Sequence, residues 1–317
     1  MYYIGIDLGG TNIACGLVDV NGNILVKKSC KTGASRPADE IMTDMAALVE
    51  DVIAQSGFGK EKIAFLGIAA PGIANSDSGI IEYSCNLPSF LSFPIVDDLK
   101  RRTGIAKIGL ENDANCAAKG EAEAGAAKGC KSSVFITLGT GVGGGVILDG
   151  KVFHGSNFAG AELGHVVIEA DGEPCSCGRK GCWESYSSAT ALCRMTEEEM
   201  NRNPESLMWK VICEGKGYVN GRTAFDAMRL GDESAKKVLE KFTRYLAIGI
   251  TNMVNIFQPE ILSVGGGISA EGETLLAPVR EILEREQYSR NCAKKTVLKK
   301  AELGNDAGII GAALLWR

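Results

Sequence analysis

Short apolar runs, each closed by glycine, alternate along the chain with longer stretches whose apolar positions recur every three or four residues. That alternation predicts strands followed by helices, an α/β protein. Residues 2–28 read as a three-stranded meander. YYIGIDL enters a Gly-Gly turn, IACGLVDV returns, and Asn21-Gly22 makes a tight hairpin into ILVKK. Between 38 and 56, Ile41, Met45, Leu48, Val49 and Ile53 fall on one face of a helix. KIAFLGIAA, ending at Pro71-Gly72, is the uninterrupted apolar run of a buried parallel strand. A Gly/Asn/Ser-rich stretch and YSCNLPSF come next. A helix from Pro94 to Thr103, a strand in AKIGLENDA and an Ala-rich helix over Asn115–Ala127 complete this half.

The pattern then returns. SSVFITLGTGVGGGVILDGKVFHG is again strand, Gly-rich turn, strand, Asp149-Gly150 hairpin and strand. IDLGGTNIACGLVDVNGNI and ITLGTGVGGGVILDGKV share one layout, which predicts two related domains facing each other. Residues 188–256 read as mainly helical, with a break at 215–221 and a broad apolar face over 235–256. Pro259 ends that helix, and ILSVGGGIS is a strand running into three glycines. A helix over Ala277–Gln287, a short strand at Thr296–Leu298 and a closing helix over Ala307–Leu315 finish the chain.

With 317 residues there is room for two domains with substantial cores. Charged residues make up 23% and the net charge is −5, a balance that argues against a protein built to coat nucleic acid. No run approaches 18 apolar residues and no leader pattern precedes the first strand, so neither a membrane span nor a secretory signal is expected. The 11 cysteines are therefore expected to be reduced, in a cytoplasmic protein. Eight of them (Cys15, Cys30, Cys85, Cys116, Cys130, Cys193, Cys213 and Cys292) are expected to serve as small buried hydrophobes.

The other three stand apart. ELGHVVIEADGEPCSCGRKGCWE, from Glu162 to Glu184, holds His165 followed by Cys175, Cys177 and Cys182 on a Gly-rich loop. Three thiols and an imidazole make a complete tetrahedral set for a closed structural Zn2+ site. Such an ion would also position Glu162 and Glu184, which flank the cluster. Carboxylates accept hydrogen bonds from pairs of sugar hydroxyls, and an imidazole can bind metal through one nitrogen and a hydroxyl through the other. His154 lies nearby without that context and reads as a loop residue.

Three Gly-rich turns each follow an apolar strand: Asp7 to Asn12 (with Gly9, Gly10 and Thr11), Gly139 to Gly143 (with Thr140, Gly141 and Val142), and Gly265-Gly266-Gly267. Backbone N–H groups in such turns form concave anion sites, so a nucleotide phosphate is expected there. The G-x-G-x-x-G at 139–144 is not a dinucleotide fingerprint, since a hairpin follows it rather than a helix. Asp7 stands where a carboxylate would face Mg2+ or its waters, or would simply cap the turn. Glu111-Asn112-Asp113 lies at a strand–helix junction. Phosphoryl transfer to an alcohol uses a carboxylate there as proton acceptor, and Asp113 is the candidate; capping of the following helix is the alternative reading. Asn112 offers a neutral donor and acceptor to sugar hydroxyls.

Together DLGGTN, ENDANCAAKGE, GTGVGGG, GAELGH and CSCGRKGCWE resemble the ROK family of sugar kinases and repressors, in particular its bacterial glucokinases, over residues 3–315. The resemblance implies an actin-like ATPase (ribonuclease H-like) fold, two α/β domains around a central cleft where sugar and ATP meet. The domain boundaries expected are 1–114, with a C-terminal helix over about 305–317 packing back on it, and 115–304 carrying the zinc loop. The resemblance also implies that Asp113 is the catalytic base and that Asn112, Glu162, His165 and Glu184 hold the sugar. The turns at Gly9–Asn12 and Thr140–Gly143 would take phosphate, and Gly265–Gly267 would lie by the adenosine. Asn86, in the segment 71–90, is expected at the sugar's C2 side. The activity implied is ATP-dependent phosphorylation of a hexose at its 6-hydroxyl, glucose first, with N-acetylmannosamine, N-acetylglucosamine, allose or fructose as alternatives. A sugar-sensing regulator without turnover is the rival class. The implied partners are sugar and ATP, no nucleic acid and no membrane, in a homodimer or homotetramer. The first strand at Tyr2 leaves no room before it for the DNA-binding helices of a repressor.

Overall fold

A computed structural model describes residues 1–317. In chain order the strands and helices are β1 (Tyr2–Leu8), β2 (Asn12–Val18), β3 (Ile24–Lys31), α1 (Ala38–Ser56), β4 (Ile63–Ala70), β5 (Ile73–Asn75), β6 (Ile80–Tyr83), α2 (Ile95–Thr103), β7 (Ile108–Asn112) and α3 (Asp113–Ala124). They continue as β8 (Ser133–Leu138), β9 (Val142–Leu148), β10 (Lys151–Val152), α4 (Glu184–Ser187), α5 (Ala189–Arg202), α6 (Leu207–Glu214), α7 (Thr223–Arg229), α8 (Glu233–Phe257), β11 (Ile261–Gly265), α9 (Glu273–Glu286), β12 (Val297–Lys300) and α10 (Ala307–Ala313). The residues sort into two compact units. The first is Met1–Phe135, Gly145–Ala161 and Glu302–Arg317; the second is Ile136–Gly144 and Glu162–Ala301.

The first unit is built on the sheet β3-β2-β1-β4-β7, in which β1 runs antiparallel to β2 and parallel to β4, and β4 runs parallel to β7. Alternation along β1 assigns its two faces. Ile4, Ile6 and Leu8 enter the core made with Ile41, Met45 and Val49 of α1, whereas Tyr3 packs with Ile309 and Ile310 of α10. On that second face α10 touches sheet and helix at backbone distance. A Cβ added at Gly67 would lie 1.8 Å from the Ala312 carbonyl oxygen, and one at Gly311 would lie 1.7 Å from that of Cys116. These glycines let α10 seat directly on β4 and α3. Glu121, buried in α3, fixes the segment leading into α10 by accepting the N–H groups of Glu302 and Leu303, the latter at 2.8 Å.

The second sheet runs β10-β9-β8-β11-β12, so a Gly-rich β-turn-β opens both sheets and strands from later in the chain follow. In the second unit α8 is the spine, packed against α4, α5, α7 and α9. Asp232 caps it by accepting the Ala235 N–H at 2.8 Å, and Gln258 ends it with φ of 43°. Trp183, fully buried, lies against α8 at Gly249, where a Cβ would stand 1.9 Å from the indole ring. No helix is long and apolar enough to cross a membrane.

Several local expectations change. The helix after β7 starts at Asp113 rather than Asn115, because Asn112 supplies the cap. Of the eight cysteines outside the histidine loop only Cys15 and Cys116 are buried; Cys85, Cys213 and Cys292 are exposed. Cysteine's apolar size permits burial but does not compel it, and these three fall on loops or outer helix faces.

Candidate active site and metal centre

In the first unit the chemistry gathers where parallel strands end. The register sets Asp7 opposite Ala69 and Ala69 opposite Glu111, so β1 and β7 finish side by side across β4. The turn Gly9–Asn12 is closed by the Gly9 N–H donating to Asn12 O at 3.0 Å and by the Thr32 hydroxyl donating to Gly9 O at 2.6 Å. Thr11 and Asn12 are exposed, and Gly10 packs against Asn86. Asp7 is mostly buried. Desolvation, then the negative charge of Asp113, push its carboxyl up from 3.8 to about 6, with Lys27 partly offsetting them. Two carboxylates that oppose each other's ionisation are a site that favours a cation.

Asn112 caps α3, its Oδ1 accepting from Ala114 N at 2.9 Å and Asn115 N at 3.2 Å, while its amide donates to Gly72 O at 3.1 Å. Its acceptor is therefore spent on the helix, leaving one amide hydrogen for a ligand. The capping alternative for Asp113 thus passes to its neighbour. Asp113 is the first residue of α3, and its Oδ1 accepts the N–H of Ala114 at 2.8 Å.

Glu111 and His154 form a feature that the sequence reading passed over. The Glu111 carboxylate is buried; Oε1 accepts the Asn112 N–H at 2.9 Å and the Asn115 amide at 3.1 Å, and Oε2 faces His154 Nδ1 at 3.3 Å. His154 itself packs on Phe158. The pair lies 43 residues apart in the chain, so no local spacing announced it.

In the second unit His165, Cys175, Cys177 and Cys182 present ligand atoms all within 4.8 Å of one another. Cys175 Sγ lies 3.6 Å from His165 Nδ1, and the sulfurs of Cys177 and Cys182 are 3.6 Å apart. A tetrahedron with Zn–S of about 2.3 Å and Zn–N of about 2.0 Å sets its ligand atoms roughly 3.5–3.8 Å apart. The donor set and its spacing fit that ion. Burial, then the Cys177 and Cys175 sulfurs, push the Cys182 thiol up to about 12, while the Arg179 N–H holds Cys177 below its ordinary value. Closely packed thiols ionise together only when a cation compensates them. The loop turns back through the Gly178 N–H to Cys175 O at 3.0 Å, and pairs by bridges between Pro174 and Lys180 and between Val167 and Cys182. With Nδ1 toward the sulfurs, Nε2 of His165 is left for another partner. Glu162, one residue before the single helical turn Leu163–His165, is exposed.

The same unit carries the other two Gly-rich turns. Gly139–Gly143 joins β8 to β9, and Thr140 is exposed on it. Glu184 Oε2 accepts the Val142 N–H at 2.9 Å, so this carboxylate touches the turn itself. Gly265–Gly267 closes β11; Gly266 has φ of 81° and approaches the backbone of Leu138. Asp7, Gly9–Asn12, Asn86, Asn112 and Asp113 thus belong to the first unit, and Glu162, His165, Glu184, the cysteines and the turns at 139–143 and 265–267 to the second.

These features define an α/β protein with Gly-rich turns at its strand ends and a clustered His/Cys loop, and residues 3–317 match the ROK family. The chain belongs to that family, and its fold is the actin-like ATPase fold. It is 37% identical over 310 residues to a glucokinase of Thermotoga maritima, covering 98% of this chain and 95% of that one. Among solved structures it resembles a ROK hexokinase from Thermus thermophilus (TM-score 0.83, 33% identity, 99% and 97% of the two chains). It also resembles a ROK glucokinase from Streptomyces griseus in complex with glucose and AMPPNP (TM-score 0.80, 33% identity, 99% and 98%).

Proposed function

We propose that the protein is an ATP-dependent sugar kinase that converts glucose to glucose 6-phosphate. The observation that carries this reading is the Asn112-Asp113 junction beside Asp7, in a chain matched over nearly its whole length by a glucokinase. Asp113 accepts the proton of the sugar 6-hydroxyl while that oxygen attacks the γ-phosphorus of ATP. The bond to the bridging oxygen breaks as the new one forms, and ADP leaves. Asn86, Asn112, Asp113, Glu162, His165 and Glu184 hold the sugar. The amides of Gly9–Asn12 and Thr140–Gly143 take phosphate oxygens, and Gly265–Gly267 borders the adenosine. Mg2+ held near Asp7 would neutralise charge on the transferring phosphoryl group. Zn2+ on His165, Cys175, Cys177 and Cys182 would be structural, leaving no open position for catalysis.

The alternatives are kinases for N-acetylmannosamine, N-acetylglucosamine, allose or fructose. A homodimer or homotetramer in the cytoplasm completes the reading, and light scattering would size it. Coupled detection of ADP release over a panel of these sugars tests it. Glucose should give the highest kcat/KM; sugar binding without ADP release would replace the kinase by a sensor.

A further inference from the structure

The turn Gly139–Val142 is held at three points by the seven residues that follow the metal loop. Ala189 N–H donates to Gly139 O at 2.8 Å, and the Thr190 hydroxyl donates to Thr140 O at 2.8 Å. The third hold differs, because Glu184 brings a charged carboxylate to the Val142 N–H at 2.9 Å. The same side chain packs so tightly on the turn that a Cβ at Gly141 would lie 2.2 Å from Oε2. Its other oxygen, Oε1, faces the metal loop, 3.3 Å from the Ser176 hydroxyl and 3.9 Å from Cys175 Sγ.

A backbone N–H engaged by a carboxylate is not open to a phosphate oxygen, and a triphosphate approaching that turn also meets a like charge. We propose that Glu184 is a sugar-operated gate on the nucleotide turn. This rests on the kinase reading above, in which Glu184 is a sugar ligand and the turn a phosphate cradle. Two neighbouring sugar hydroxyls offer the carboxylate a pair of donors at once. Glu184 exchanges the Val142 N–H for them, and the freed amide becomes available to the γ-phosphate. Sugar thereby raises nucleotide affinity, and ATP is held for transfer only when an acceptor is present. Because coupling between two ligands is reciprocal, nucleotide tightens sugar binding by the same factor.

The opposite role is a plain tether, in which Glu184 merely keeps the turn in shape. The two differ in sign. Calorimetric titration of a non-hydrolysable ATP analogue with Mg2+, with and without glucose, separates them in wild type, Glu184→Gln and Glu184→Ala. Glu184→Gln keeps the size and an acceptor for Val142 but removes the charge, and zinc per chain checks that the loop is intact. In wild type, glucose should tighten the analogue about tenfold, the scale of one hydrogen bond to a charged group. Glu184→Ala should bind the analogue without glucose about as tightly as wild type does with it, with glucose adding nothing more; Glu184→Gln, which sheds the charge but keeps the Val142 hydrogen bond, should fall between the two. The gate is overturned if Glu184→Ala binds the analogue no tighter than wild type without glucose, or if glucose leaves wild-type affinity unchanged. Turnover of glucose by wild type is measured alongside: its absence removes the kinase reading, whereas turnover without the gain in Glu184→Ala removes the gate alone.

Discussion

His154 Nδ1 stands 3.3 Å from Glu111 Oε2, and the other oxygen of that buried carboxylate holds the backbone N–H of Asn112, one residue before Asp113. The strand–helix junction at Asn112-Asp113 is thus held from a distant part of the chain. His154→Ala should leave a buried carboxylate without this partner, lowering stability by about 1–3 kcal/mol. It should lower kcat about tenfold while the KM for ATP changes little. Steady-state kinetics and urea unfolding measure both. An unchanged kcat would make His154 a structural partner only.

The Asp7 carboxyl is raised from 3.8 to about 6, first by burial and then by Asp113. Because the folded chain favours the protonated form, the stabilisation it gives is complete below about pH 4 and is lost as pH rises through about 6. Asp7→Asn should therefore be more stable than wild type at pH 7.5, by about 2–3 kcal/mol, and equal to it near pH 4. Kinase activity should fall in the same variant, since the carboxylate is the proposed Mg2+ position. Denaturation midpoints across pH test the sign.

Metal analysis of protein prepared without chelator should find about one zinc per chain, on the donor set of His165, Cys175, Cys177 and Cys182. Cys177→Ser should lose it and cost on the order of 4 kcal/mol, because a metal-held loop has little core of its own. Sugar affinity should drop with stability, as His165 and Glu184 ride on this segment. A variant with wild-type melting would show that the cluster binds no metal.

At Gly249 the indole of Trp183 fills the space a side chain would take. Gly249→Ala should overpack the contact between α8 and the end of the metal loop, costing about 1–3 kcal/mol. Since Trp183 follows Cys182 directly, zinc should also leave faster. Thermal unfolding and the rate of zinc transfer to a chromogenic chelator read the two effects.

What the sequence made legible follows from locality. Asn21-Gly22 and Asp149-Gly150 announced their hairpins because both glycines adopt the left-handed backbone, with φ of 87° and 77°, and Asp149 joins them at 50°. The Cys-X-Cys-Gly spacing likewise brought its sulfurs together through a short turn. Where several weak local signals compete, the pattern does not fix the element. Strands β5 and β6, three and four residues long, were hidden in a Gly/Asn/Ser-rich stretch. Helix α9 begins at Glu273 rather than Ala277, and Pro278 sits inside it, forgoing one N–H bond without ending the helix. Long-range pairings left no trace in spacing: Glu111 with His154, and Glu184 with Val142, depend on which strand ends the fold sets side by side.

The most direct measurement is the rate of phosphoryl transfer by Asp113→Asn, with sugar and nucleotide affinities determined on the same protein. This change keeps an acceptor for the Ala114 N–H and removes only the proton-accepting charge. The account predicts near-wild-type binding of glucose and ATP with kcat lower by about 10²–10⁴-fold. A kcat close to that of wild type would contradict it.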